Sequence, residues 1–376
     1  MCRNLLLKLN VQYATICLLL PPDTKKFNAV LLKIHTFLRY FTLLLLYSVW
    51  LPFVYEMWLQ EKTKFVEYTL TIINTGAYLC SILTMHFFLK NGTRGRKMVE
   101  ELNHIFQYTS DGVIAVTSMS RIDKLTKKFT YAFLSLLSSG VITMSFIPIF
   151  MKGRNLPLPG EFFGMDVVNN TAHYVGIYVL QTVGQVQIGH ITAASDTLYF
   201  CMVLVSGEQI IILATNFHNC LYNALINCGV DKNTVLAFKK QIRNGCNSQS
   251  IKEKSIVRDV TGEHDIPSIM ESKRFKDDLI NLMISYIKDH QNTVTFFKKL
   301  DSFFLPVIFM KVCVSMFYHV FITFAMLSSS ETGMILTLAE YEVCAVAELF
   351  LFALAGQSLY NKVSTILVSQ LRLLLI

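Results

Sequence analysis

Six blocks of predominantly apolar residues, at about 37–57, 68–89, 129–150, 174–199, 303–327 and 333–360, dominate the sequence. Each holds about 20 residues or more, enough at about 1.5 Å per residue to cross a hydrocarbon core of about 30 Å as a helix. Composition agrees: 53% of the 376 residues are hydrophobic and 16% charged, whereas soluble domains run about 45–50% apolar and about 25% charged. The predicted fold class is all-α, a polytopic membrane helix bundle with six clear spans.

The segments between the blocks alternate in charge, which predicts orientation through the cytoplasmic excess of Lys and Arg. Arg3, Lys8, Lys25, Lys26 and Lys33 face only Asp23 in the N-terminal segment, and the second loop carries Arg94, Arg96, Lys97, Arg121, Lys124, Lys127 and Lys128. Both read as inside. The first loop mixes Glu61 and Glu67 with Lys62 and Lys64, the third holds Lys152 and Arg154, and the fifth is a short Ser-rich turn ending at Glu331; these read as outside. The stretch 216–299 is rich in both signs and reads as cytoplasmic. The N-terminus is therefore predicted to be intracellular, the reverse of G-protein-coupled receptors, whose D/E-R-Y and NPxxY motifs are also missing.

Two glycosylation sequons bear on this topology, Asn91-Gly92-Thr93 and Asn169-Asn170-Thr171. Only Asn169 falls outside, and it is the predicted glycan site. The implied domain plan is a cytoplasmic segment 1–33, spans one to four over 34–215, a cytoplasmic loop and anchor helix over 216–302, spans five and six over 303–360, and a tail 361–376. The apolar run from Val11 to Leu20 follows Arg3 and Lys8 as in a signal peptide, yet Pro21 and Pro22 replace a small-residue cleavage site. Too short to span, it is expected as a helix at the inner membrane surface.

Nine cysteines show neither a CxxC pair nor metal-ligand spacing, so no metal site and no disulfide framework is predicted. The net charge of +8 is accounted for by the basic loops, with no nucleic-acid partner. No Ser-His-Asp, HExxH, P-loop or GxGxxG context occurs, so enzyme chemistry and cofactors have no residues to rest on.

Polar residues within the blocks are expensive unless they face protein or water. The fourth block carries Gln181, Gln185, Gln187, His190 and Asp196, and the sixth Glu340, Glu342 and Glu348. These helices are expected to line an aqueous cavity or one another, with Glu340 and Glu348 either structural or part of an ion path. His190 and Asp196 are six residues apart and do not share a helical face. Aromatic and sulfur side chains in the outer halves of the blocks suit a small, mostly apolar ligand with a few hydrogen-bond partners, and the candidate ligand-binding residues are Tyr78, Met144, Phe146, Tyr178 and Gln181. Ordinary interhelical packing is the alternative for each.

After Met270, the residues Leu279, Met283, Tyr286, His290, Val294 and Phe297 recur at steps of three and four while charges occupy other faces. The pattern predicts an amphipathic helix below the membrane that runs into the fifth span and contacts either its own loop or a partner subunit.

The segment "IKDHQNTVTFFKKLDSFFLPVIFMKVCVSMFYHVF" resembles the insect odorant receptors, in the superfamily that includes the insect gustatory receptors. Ile287, His290, Phe296, Leu300 and Phe304 stand at the positions of that family's I-x-x-H helix and the F-x-x-x-L-x-x-x-F pattern after it. "ELFLFALAGQSL" is similar to the family's E-L-F-x-x-x-x-x-G-x-x-L, and Tyr174, Tyr178, Gln181 and Asp196 look like polar positions of its fourth span. The resemblance implies an odorant-binding subunit of a ligand-gated, nonselective cation channel, assembled as a heteromeric tetramer with a common co-receptor in the plasma membrane of a sensory neuron. It places a small volatile ligand in the outer part of the bundle, between the second, third, fourth and sixth spans. Subunit contacts lie in a cytoplasmic anchor, which the 279–297 stripe fits, and the pore is lined by a seventh span.

After Gly356 and Leu359, however, comes "YNKVSTILVSQLRLLLI", with Lys362 and Arg372 in a stretch too short to span. The seventh span is expected to be incomplete, truncated or altered, with the tail at the inner surface. A gustatory receptor, a non-conducting subunit, and a secondary transporter using Asp196, Glu340 and Glu348 stand as alternatives, the last requiring internal repeats that the sequence does not show.

Overall fold

The computed structural model describes residues 7–23, 28–59, 65–109, 113–150, 156–158, 162, 165, 169–245, 266–329 and 332–374, and the regular secondary structure among them is helical. In chain order the helices are α1 (Lys8–Ile16), α2 (Ala29–Leu59), α3 (Phe65–Thr109), α4 (Val113–Phe150), α5 (Thr171–His218), α6 (Cys220–Asn227), α7 (Lys232–Gly245), α8 (Ile266–Glu271), α9 (Lys273–Ser328) and α10 (Thr332–Leu374). Six of them, α2, α3, α4, α5, α9 and α10, are long and apolar enough to cross a membrane. Every predicted block falls inside one of these six, and the chain is a multi-pass membrane protein.

The helices outrun the blocks because hydropathy marks only the lipid-immersed part. Past its apolar section α3 continues through "KNGTRGRKMVEEL", where Lys, Arg, Met and Glu sustain a helix and Arg96 pairs with Glu100 one turn on at 3.6 Å. Asn170 caps α5, accepting from the amides of Ala172 and His173, and the Ser272 hydroxyl accepts from Phe275 N–H to start α9. The predicted amphipathic helix and fifth span form one element, α9, of 56 residues.

In α5, 78% of the most apolar window is buried, against 17% to 44% in the other five spans. The most polar span is therefore the hub, its Gln and Asp side chains meeting protein and not lipid. Lipid tails are as apolar as Leu, so helices in a bilayer associate through close packing and polar contacts. The chain supplies a set of interlocked rings: Phe303 lies 5.1 Å from Phe87 and 5.9 Å from Phe88, Phe304 lies 5.3 Å from Tyr199, and Tyr199 lies 6.0 Å from Phe352. Such tilted and edge-on pairs contribute about 0.5–1.5 kcal/mol each beyond area burial. They tie α3, α9, α5 and α10 together.

The N-terminal stretch does more than rest on a surface. Asn10, Val11 and Ala14 of α1 are buried; Asn10 Nδ2 donates to Thr130 Oγ1 of α4 at 2.8 Å, and the Tyr13 hydroxyl lies 2.8 Å from His190 Nδ1 of α5. The turn after α1 is fixed by buried Arg39 of α2, which donates to the carbonyls of Leu19 at 3.0 Å and Phe88 at 2.7 Å. Polar atoms spaced along α1 thus fasten this short helix to α4 and α5.

The tail adds no seventh span among the described residues; it prolongs the sixth. Helix α10 runs on past Gly356 to Leu374. Lys362, which looked prohibitive in an apolar helix, donates to Glu208 Oε2 of α5 at 3.2 Å and toward the Leu204 carbonyl at 3.4 Å. This ion pair ties the end of the sixth span to the hub helix.

Candidate functional site

A cavity of about 170 Å³ lies between α3, α4, α5, α9 and α10, with Leu158 from the segment before α5 at one end. An engineered apolar cavity of about 150 Å³ accepts benzene. This one has the scale of a single ring with a short substituent. Ala77, Phe133, Leu137, Val141, Ile188 and Val314 form its apolar wall.

The structure separates the five candidate ligand residues. Tyr78 and Met144 line the cavity. Tyr78 is 1% exposed, its ring 5.8 Å from that of Phe53, and its hydroxyl approaches α5 at Gly184, where a Cβ would stand 2.6 Å from the oxygen. Only glycine lets α3 and α5 close here. Gln181 is fully buried behind the wall; its Oε1 accepts from Leu158 N–H at 3.1 Å and so holds one cavity residue in place. Tyr178 donates to the Ser145 carbonyl, tying α5 to α4, and is not a lining residue. Phe146 is 54% exposed on the outside of the bundle.

At the end of the cavity away from Leu158 stands a group that hydropathy had hidden. Lys311, 4% exposed in the fifth span, donates to Asp196 Oδ1 at 2.5 Å and to Ser195 Oγ at 2.9 Å, with Glu348 Oε1 at 3.3 Å. Ser315 donates to the other Glu348 oxygen at 2.8 Å. The cluster joins α5, α9 and α10, and it supplies the protein partners that Asp196 and Glu348 need at membrane depth. Two other polar residues also resolve: His190 meets Tyr13, and His86 Nε2 lies 3.0 Å from the Tyr47 hydroxyl. Along α10, Glu342 pairs with His319 at 2.6 Å, and Tyr341 donates to Asn74 Oδ1 at 2.6 Å. Glu340 lines the cavity beside Gly140 of α4.

At the other end of α9 the six stripe residues divide between two directions. Leu279, Tyr286, His290 and Phe297 are partly buried against the chain itself; Tyr286 accepts from Asn223 Nδ2 at 3.0 Å and packs 5.6 Å from the Phe217 ring. Met283 and Val294 are exposed, and with Ile280, Ile284 and Ile287 they make an outward apolar strip. Asn169, the sequon residue, is exposed just ahead of the α5 cap.

A family profile described as "7tm Odorant receptor" matches residues 64–367. Odorant receptor 83a of Drosophila melanogaster is 20% identical over 290 residues, a match covering 74% of this chain and 62% of that receptor's length. The chain thus spans less than two thirds of that relative. In fold it is similar to the insect olfactory receptor OR5 from Machilis hrabei, with a TM-score of 0.59 at 10% identity, covering 96% of this chain and 82% of the other. A structure of OR5 in complex with eugenol matches equally well, at 11% identity.

Proposed function

From the premise that the chain belongs to the 7tm odorant receptor family, we propose that it is the odorant-binding subunit of a heteromeric, ligand-gated, nonselective cation channel, holding a small volatile molecule in the α3–α4–α5–α9–α10 cavity. The observation that carries this reading is the cavity itself: ring-sized, walled by apolar side chains, and provided with a few placed polar groups. A receptor of similar fold has been described with eugenol, a molecule of that size class. With the N-terminus inside, as the basic segments predict, the cavity lies in the middle and outer part of the bundle. The chain sits in the plasma membrane of a sensory neuron and pairs with a co-receptor subunit through the cytoplasmic end of α9.

Of the five ligand candidates, Tyr78 and Met144 contact the odorant, Gln181 acts through Leu158, Tyr178 holds α5 to α4, and Phe146, on the outside of the bundle, takes no part. The test is Met144→Trp, which fills the cavity from α4. In cells co-expressing an insect co-receptor, the variant is expected to reach the surface at the wild-type level and to lose responses to its largest ligands first. An unchanged ligand ranking would place the odorant elsewhere.

A further inference from the structure

The ionisable groups at the cavity do not balance. Lys311 is the one cation among the lining residues, and it is already engaged by Asp196 and Glu348. Glu340 is a third carboxyl with nothing to answer it: its Oε2 is buried without a hydrogen-bond partner, and among the described residues no Lys, Arg or His forms an ion pair with it. Its neighbour Glu342 is different, being paired with His319. Glu340 reaches across from α10 to α4, where a Cβ on Gly140 would stand 3.1 Å from Oε1, so a glycine provides the notch for the carboxyl. Independently, Gln185, 6% exposed on the hub helix and lining the same cavity, leaves its Oε1 without a donor.

The site therefore offers unused acceptors, and a carboxyl that no cation of the cavity wall answers, inside an apolar, ring-sized space. We infer that the cavity selects a small amine, an ammonium group on a body about the size of one ring, with the ammonium bound by Glu340. The inference rests on the cavity being the ligand site, as proposed above. An anion would meet Glu340 and Glu348 with the wrong sign. A neutral alcohol can hydrogen-bond Glu340 but brings no countercharge, whereas an ammonium supplies both donors and the cation that a buried carboxylate needs, and charge-assisted hydrogen bonds are about twice as strong as neutral ones. Aliphatic amines are protonated at pH 7, so the charge is in place when such a ligand arrives.

The test compares 2-phenylethylamine with 2-phenylethanol, which differ only in the terminal group, by calorimetric titration of the full chain in lipid nanodiscs. The amine is expected to bind at least about tenfold tighter, equivalent to about 1.4 kcal/mol, and Glu340→Gln, which keeps the shape and removes the charge, is expected to abolish that preference while leaving the alcohol's affinity within about twofold. The wild-type comparison stands even if the variant does not fold. Equal affinity of the two probes, or an amine preference that survives Glu340→Gln, overturns the amine assignment and leaves the cavity as the odorant site. Binding of neither probe overturns the amine assignment as well, while the Met144→Trp test decides separately whether the cavity is the odorant site.

Discussion

Replacing Lys311 by Met removes one charge from a chain of similar length and exposes what the cluster does. Lys311 is 4% exposed and stands 2.5 Å from Asp196 and 3.3 Å from Glu348. Without it the two carboxyls share an apolar site with only Ser195 and Ser315 as donors. Breaking a buried pair by removing one partner costs about 3–5 kcal/mol in soluble proteins. In a bilayer the reference state also finds polar partners, and interhelical contacts there average about 0.6 kcal/mol, reaching about 1.7. A loss of about 2–4 kcal/mol follows from these limits, because the defect is an uncompensated charge and not one missing hydrogen bond. Asp196→Asn should cost less, since Lys311 keeps Glu348. The triple variant Asp196→Asn, Lys311→Met, Glu348→Gln should recover most of the loss, because a neutral cluster carries no stranded charge. Unfolding in nanodiscs, with the fraction of chain at the cell surface as a second readout, would rank the three. Lys311→Met within about 0.5 kcal/mol of wild type, the range of ordinary surface substitutions, would refute the reasoning, and so would a triple variant no more stable than the single one.

Glycan mapping is expected to find Asn169 modified and Asn91 bare, since Asn169 is exposed ahead of α5 while Asn91 lies within α3 and donates to the Phe87 carbonyl at 3.1 Å; the reverse pattern would invert the topology. Ile284→Asp with Ile287→Asp, on the exposed strip of α9, should reduce co-purification with a co-receptor without altering chain stability, whereas Tyr286→Phe should cost about 1 kcal/mol of stability and leave association intact. Co-purification that withstands the paired aspartates would place the subunit contact elsewhere. Burial pushes the Cys17 thiol up to about 12, and the thiolate is the reactive form, so maleimide at pH 8 should label Cys17 only after unfolding. Rapid labelling of the folded chain would put the turn after α1 outside the bundle.

The fold was legible because bilayer thickness and backbone pairing leave little choice for apolar blocks of this length, and all six blocks recur as helices. Rotation about each helix axis was not. Hydropathy gives a residue's depth but not its bearing, so Tyr78 and Phe146, alike in aromatic character, end on opposite sides of the wall, one 1% and the other 54% exposed. The α9 stripe failed to point one way for a related reason. A helix with apolar residues on neighbouring faces can turn one to its own chain and another outward, and periodicity ranks them equally. Lys311 escaped notice because a single Lys among Phe, Val and Met scarcely lowers the mean of its window. A signal existed: Asp196 and Glu348, unaffordable alone at depth, required a cation, and Lys311 is the one Lys or Arg within the fifth block.

The same contrast governs how the cavity resists distortion. At the Lys311 end, α5, α9 and α10 are held by two ion pairs and hydroxyl donors, and parting them strands charge. At the Leu158 end one neutral hydrogen bond, from the Leu158 amide to Gln181 at 3.1 Å, holds the lining residue. A neutral hydrogen bond is worth about 1 kcal/mol net, against several for a broken buried ion pair. If the cavity is the ligand site, as proposed, a ligand slightly too large for about 170 Å³ is expected to displace Leu158 before it moves Lys311. On that reasoning Gln181→Leu, which removes the acceptor for the Leu158 amide, is expected to widen the size range of ligands that evoke a response, and an unchanged range would refute it.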